Sequence, residues 1–258
     1  MLGGSKSDSK SRYGWRAVSA LGALLAAGLL FGGTSLRAGA GGGQKTASAA
    51  SHPKAAATES ALAAPVKVYG SKSAPVTMEI FTDYQCPTCG AFFEQTLRQM
   101  INDYVAAGKV YIIHHDFPLQ MHAYSGQAAR WANAAAEVGQ FENVEAALYD
   151  NQAAWTASGN LEKYVSAAMP SKDFERVKKI MEPCGAPGPV DAPTGIVASP
   201  HPCAIDSYIM QDIKLGMQVP VTGTPTFVFY YKGQRYPATS GMISWPILKS
   251  FIDSLMSQ

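Results

Sequence analysis

Hydrophobic residues recur along this chain with two different periods, and the alternation between them predicts its elements. Val76, Met78, Ile80 and Phe81 crowd one short run, the density of a strand covered on both faces. Order begins near Pro65, where Val66, Val68 and Tyr69 predict a shorter strand closed by Gly70. Phe93, Leu97, Met100, Ile101 and Tyr104 then recur at helical spacing until Gly108 ends the element. Val110 to His115 is rich in β-branched and aromatic residues and reads as another strand, stopping at Asp116-Phe117-Pro118-Leu119. Strand, helix and strand in that order predict a right-handed crossover and a parallel pair.

From about Met121 to Met217 the pattern turns helical and Ala-rich, with Tyr124, Ala128, Trp131 and Ala135 on one face and Phe141, Val144 and Leu148 on another. Residues 120–217 therefore read as a helical insertion. Inside it, Cys184 to Cys203 loses periodicity and holds Pro187, Pro189, Pro193, Pro200 and Pro202 with Gly185, Gly188 and Gly195, which predicts a loop. A helix from about Ile205 to Met217 leads through Val219 to Thr224 and Pro225 into the apolar run Thr226 to Tyr231. Lys232-Gly233-Gln234 is a hairpin signal before Arg235 to Ala238, where Pro237 suits an edge strand. Ser244 and Pro246 open a last helix with Leu248, Phe251, Ile252 and Leu255 on one face. The order β-β-α-β, helices, β-β-α belongs to the α/β class.

Ahead of Pro65 the pattern is different in kind. Lys6, Lys10, Arg12 and Arg16 precede the apolar run Ala17 to Phe31, and Ala38-Gly39-Ala40 offers a small-residue cleavage site, the signature of an export signal over residues 1–40. A retained membrane anchor is the alternative, because Ala17 to Leu36 is uncharged and about long enough to span a bilayer. The positive-inside rule leaves the remaining chain outside the cytoplasm either way, in the periplasm or another extracytoplasmic space. An amphipathic helix of a cytosolic protein fits poorly, since the run has no polar face. Residues 41–64 are mostly Gly, Ala, Ser, Thr and Lys, with Leu62 the only large apolar side chain, and read as a flexible linker. One domain, residues 65–258, is left to fold.

The charge balance narrows the partners. Removing residues 1–40 takes five bases and one acid, which turns the formal charge of +2 into −2. No basic stripe remains, so nucleic acid is not an expected partner.

Four cysteines in a chain with an export signature suggest disulfide chemistry. Cys86-Pro87-Thr88-Cys89 falls at the predicted strand-to-helix junction. A thiolate, not a thiol, exchanges disulfides, and a helix start at Cys86 supplies unpaired N–H groups and the positive dipole end that favour it. Cys89, one turn in, would be more buried and placed to resolve a mixed disulfide. Pro87 suits the first helical position, and Thr88 offers a hydroxyl near the thiolate. The alternative is half a zinc site completed by His114, His115 or His122, since Cys184 and Cys203 lack the spacing of a second ligand pair. Those two cysteines read as a structural disulfide holding the loop, worth on the order of 3 kcal/mol, or alternatively as a second redox relay.

Three ordered motifs carry a resemblance. Thr82 to Cys89, then His115-Asp116-Phe117-Pro118-Leu119, then Val221-Thr222-Gly223-Thr224-Pro225-Thr226-Phe227-Val228 are similar to the DsbA-like branch of the thioredoxin superfamily, over about Val66 to Leu255. The resemblance implies a thioredoxin-like fold, with a cis Thr224-Pro225 bond against the Cys86-Cys89 pair and a neighbouring backbone edge that docks an extended substrate. An ordinary trans proline at Pro225 is the alternative. Implied too are reduced exported proteins as substrates, a membrane thiol oxidase as reoxidant, and no bound cofactor. The expected activity is a dithiol oxidase that introduces disulfides, with a disulfide isomerase or reductase as rival. An exported module that binds peptides or metal without catalysis is the alternative from another class. One departure stands out: relatives commonly carry an acid six residues before the first cysteine, where this chain has Ile80. Glu79 beside it would point to the other face, and Asp83 is only a weak substitute.

Overall fold

β2 (Val76–Thr82) and β3 (Val110–Asp116) are almost wholly buried, and two such strands must lie inside a sheet covered on both sides. They pair in parallel, Val76 opposite Val110 through Thr82 opposite Asp116. The computed structural model describes residues 67–185 and 203–258, with the backbone of Val190–Asp191 and Ile196–Val197 between them. The expected export segment 1–40, the linker 41–64, Pro65, Val66 and the prolines of the 184–203 loop lie outside the described residues.

β1 (Val68–Tyr69) pairs antiparallel with β3, and Gly70 ends it at φ +81°, where a Cβ would meet the Val110 carbonyl at 2.8 Å. Between β2 and β3 runs one helical stretch over residues 87–105. Its α-helical parts are α1 (Pro87–Phe92) and α2 (Arg98–Met100), continued by the π-helical turns Phe93–Leu97 and Ile101–Val105. The insertion then supplies α3 (Ser125–Ala136), α4 (Phe141–Asp150), α5 (Gln152–Ser158), α6 (Leu161–Ala167), α7 (Ser171–Met181) and α8 (Ala204–Gln218). In the expected loop, β4 (Val190–Asp191) and β5 (Ile196–Val197) form a two-residue antiparallel ladder that aperiodic sequence could not announce. Cys184 and Cys203, at the ends of that segment, are joined by a disulfide.

β6 (Thr226–Tyr231) returns antiparallel to β2, giving the order β1-β3-β2-β6-β7. β6 and β7 (Gln234–Arg235) enclose a two-residue turn in which Lys232 and Gly233 both take positive φ, 49° and 77°. That turn matches the twist of the strands it joins. The expected strand from Arg235 to Ala238 is interrupted instead: Pro237 has no N–H to give, and pairing resumes as β8 (Thr239–Ser240) on the start of β6. α9 (Trp245–Met256) closes the fold.

The sheet's two faces divide the labour. Ile80 pairs with His114 on one side and Phe227 on the other, and the Phe227 ring meets Phe92 of α1 at 4.7 Å, so this face carries the 87–105 stretch. On the opposite face Phe81 and Val228 pack with Val219, and Phe81 stacks on His115 at 4.7 Å. Next to that face Lys67 is buried between Asp116 and Asp212, the latter at 2.9 Å.

Candidate active site

Cys86 caps α1. Its backbone is extended (φ −70°, ψ 119°), Pro87 takes the first helical position, and Gly90 N–H donates to the Cys86 carbonyl at 3.1 Å. Strand β2 ends four residues earlier, so the sheet fixes where the sulfur stands. Cys86 and Cys89 are both buried free thiols, 7% and 1% exposed, with Cys86 the more accessible of the two.

The two thiols titrate far apart. Cys86 is lowered from the ordinary 9.0 to about 5. The hydrogen bond from the Cys89 thiol is the largest cause; burial opposes it, while the Thr224 hydroxyl and the N–H groups of Cys89 and Thr88 add to it. Cys89 is pushed well above its ordinary value by burial first, then by its bond to Cys86 and the charge there. Sequence reasoning names the helix start as the source of the lowered value; the neighbouring thiol turns out to contribute more.

The Thr224–Pro225 peptide bond is cis. Protonated Cys86 donates to the Thr224 carbonyl at 3.4 Å. The Thr224 hydroxyl is buried with no other hydrogen-bond partner among the described residues, which leaves its proton for the sulfurs. Behind it, Thr226 Oγ1 donates to the Gly223 carbonyl at 2.7 Å and Gly241 N–H to the Pro225 carbonyl at 2.8 Å, pinning the loop.

Four polar side chains brace this site, Asp83 and Gln85 from within the Thr82–Cys89 motif and His122 and Gln152 from outside any motif. Asp83, which turns the chain from β2 toward Cys86, accepts from Gln85 N–H at 2.7 Å, Ser125 Oγ at 2.5 Å and Leu119 N–H at 2.8 Å. His122 Nδ1 lies 2.7 Å from the same carboxylate. That hydrogen bond is the main reason the His122 pKa rises; burial opposes it, and the Cys86 charge adds a little. Gln85 Oε1 accepts from Tyr124 N–H at 2.7 Å, so residues 119–125 are stapled to the turn before the sulfur. From α5, Gln152 Nε2 donates to the carbonyls of Tyr84 at 2.7 Å and Cys86 at 3.0 Å. A signal for the 119–125 contacts was available: β2 and β3 are parallel, so the segments that follow them emerge at one end of the sheet. Nothing comparable pointed to Gln152.

The histidines of the alternative zinc reading are dispersed. His114 sits on Glu145, His115 on Asp212 and His122 on Asp83. Among the described residues no group of three or more His, Cys, Asp or Glu is placed to hold a metal ion. Nor is any described helix long and apolar enough to cross a membrane. Glu79 faces away from Ile80 and accepts from Tyr230 Oη at 2.9 Å. Of the sequence-predicted site residues, Cys86, Pro87, Thr88, Cys89, Thr224 and Pro225 come together, whereas Cys184 and Cys203 are bonded to each other within the insertion.

Comparison with known proteins agrees with this geometry. A family model described as thioredoxin matches residues 64–253. The fold is similar to Wolbachia pipientis alpha-DsbA1, with a TM-score of 0.57 and 18% identity over 74% of this chain and 90% of that one. Pseudomonas aeruginosa DsbA2 matches at 0.52 and 24% identity, over 75% of this chain and 96% of that one. Oxidised BdbD from Bacillus subtilis matches at 0.51 and 19%, over 74% and 93%. At such identities the likeness establishes the fold. Among curated proteins, an 85-residue stretch is 35% identical to Na(+)/H(+) antiporter NhaA 3 of Salinispora tropica, covering 33% of this chain and 13% of that protein's length.

Proposed function

This chain belongs to the thioredoxin family, and on that premise we propose that it is an exported thiol:disulfide oxidoreductase that oxidises dithiols in other exported proteins. The observation that carries the reading is the separation of the two thiols, one lowered to about 5 and the more accessible, the other more deeply buried and raised. A pair set apart in this way can divide the work of exchange. A client thiolate attacks Cys86 of the oxidised pair, forming a mixed disulfide and releasing Cys89. A second client thiolate then attacks the client sulfur of that bond, and Cys86 leaves as a stable thiolate. The client gains a disulfide and the protein holds its two electrons.

The same number supports the oxidising direction. Stabilising the reduced form makes the disulfide more oxidising. At neutral pH a thiol at about 5 rather than 9.0 favours the reduced state by about two decades, or roughly 60 mV on a two-electron couple. Thr224 and Pro225 would dock the extended client beside the sulfur, and a membrane thiol oxidase would restore the disulfide. Cys184–Cys203 would stay a structural bond. Residues 1–40 would direct export, cleaved or kept as an anchor.

The deciding measurement is the equilibrium potential of the Cys86–Cys89 couple against glutathione, together with oxidation of a reduced test protein. A potential near −120 mV fits the oxidase, whereas one near −270 mV, thioredoxin's range, assigns the chain to reduction or isomerisation. A Cys86→Ser protein that retained full activity would remove the mechanism altogether.

A further inference from the structure

Gln152 opens α5 and belongs to no motif, yet both hydrogens of its amide are used at the active site. Nε2 donates to the Tyr84 carbonyl at 2.7 Å and to the Cys86 carbonyl at 3.0 Å. The helix that carries Gln152 does not need those bonds. Trp155 of α5 is wholly buried and its indole donates to the Leu148 carbonyl at 2.6 Å, while Asn151 Nδ2 donates to the Ala147 carbonyl at 2.8 Å. α5 is therefore fixed on α4 by its own contacts, a firm base from which a side chain can hold something else.

What Gln152 holds is the short run between the end of β2 and the start of α1. Gln85 N–H donates to Asp83 Oδ1 at 2.7 Å, Cys86 N–H to the Asp83 carbonyl at 3.0 Å, and the Cys86 carbonyl accepts from Gly90 N–H at 3.1 Å. These bonds all come from within four residues of Cys86. Among the described residues, Gln152 alone reaches the peptide groups of Tyr84 and Cys86 from a distant part of the chain. Pro87 leaves the Cys86–Pro87 peptide without an N–H, so the carbonyl is the one group through which hydrogen bonds can fix that plane. The rotation of the plane, ψ of Cys86 at 119°, sets where the sulfur stands relative to the Thr88 and Cys89 N–H groups that help hold its charge.

Gly90 makes room for this contact. It lies inside α1, where alanine is the better helix former, so the helix itself does not call for glycine. A Cβ there would meet Gln152 Oε1 at 2.8 Å, and its Cδ and Nε2 at 3.2 Å. The amide takes the space of the missing methyl and shares the Cys86 carbonyl with the Gly90 N–H.

Resting on the proposed exchange activity, we propose that Gln152 is a positioning residue for it: from the helical insertion, its amide fixes the Cys86 carbonyl and so the aim of the sulfur, in a slot that Gly90 leaves open. In the oxidised protein the Cys86–Cys89 bond holds the sulfur whatever the backbone does. In the reduced protein that bond is gone and the backbone alone aims it. The contact therefore favours the reduced state and makes the pair more oxidising.

The test is equilibration of the full chain with mixtures of reduced and oxidised glutathione, read by trapping the thiols. Gln152→Met keeps the length of the side chain and removes both donors; it should shift the constant roughly three- to tenfold toward the disulfide, the worth of about one hydrogen bond. Tenfold corresponds to about 30 mV on a two-electron couple. The Cys86 thiolate should bind its proton more tightly by the same factor, read from thiolate absorbance against pH. Gly90→Ala pushes the amide aside from the other direction and should shift the constant in the same sense, and the double variant should go no further than the larger single one. An unchanged constant in folded Gln152→Met, even with a lower urea midpoint, would make the amide a purely structural tie and overturn the role. If that variant does not fold, Gly90→Ala decides, and an unchanged constant there overturns it. Additive shifts in the double variant would overturn it too, since Gly90 would then act by another route. A wild-type chain that does not equilibrate with glutathione at all would instead sink the exchange activity itself, and the positioning role with it.

Discussion

Replacing Cys89 by alanine isolates the contact that most lowers Cys86. The thiolate loses the S–H donor that is its main stabiliser while keeping the Thr224 hydroxyl and the N–H groups of the helix start, one of them that of residue 89 itself. A hydrogen bond to a charged group is worth about 1.5–3 kcal/mol, and at 1.36 kcal/mol per pKa unit its loss moves Cys86 by about one to two units. The Cys89→Ala protein should therefore titrate at about 6 to 7. Its thiolate fraction at neutral pH should fall from nearly complete to roughly half at the upper limit. Cys89→Ser keeps a donor in place and should shift Cys86 by less. Thiolate absorbance near 240 nm, or the pH dependence of iodoacetamide alkylation, reads the midpoint directly. A Cys89→Ala midpoint still at about 5 would show that the helix start and Thr224 suffice alone. A midpoint at an ordinary thiol value would show that the backbone contributes nothing. The first result refutes the ranking of causes given above, and the second refutes the shares assigned to Thr224 and the helix start.

Three further outcomes follow. Because Asp83 holds up the His122 pKa, the pair contributes stability below the unfolded value of 6.5 that is lost as pH rises through the higher folded value; Asp83→Asn should lower the imidazole midpoint seen by NMR and erase that pH dependence in urea unfolding. Lys67→Met leaves Asp116 and Asp212 without their buried cation and should cost about 3–5 kcal/mol by urea denaturation; a neutral result would mean that the cluster rearranges around its loss. Replacing Cys184 and Cys203 together by alanine should cost on the order of 3 kcal/mol in the urea midpoint and leave dithiol oxidation intact, whereas loss of exchange with stability preserved would make that pair a second relay.

Much of this molecule was legible along the chain. Strand density at Val76 to Phe81 and Val110 to His115, helical spacing from Phe93 to Tyr104, and the stops at Gly70 and Gly108 are local features, and local backbone preference is what sequence encodes most directly. The placement of Cys86 at a helix start follows from two adjacent elements and needed no tertiary information. What lay beyond reach depended on contacts between distant residues. That the Cys89 thiol outweighs the backbone in lowering Cys86 depends on how sulfur, Thr224 and burial balance in three dimensions. Asp83 gathering donors from Leu119, His122 and Ser125 requires the parallel register that brings two strand ends together. Glu145 belongs to no motif in the sequence; only the packing of α4 against the sheet buries it on His114, since burial belongs to the assembled surface and not to any one segment.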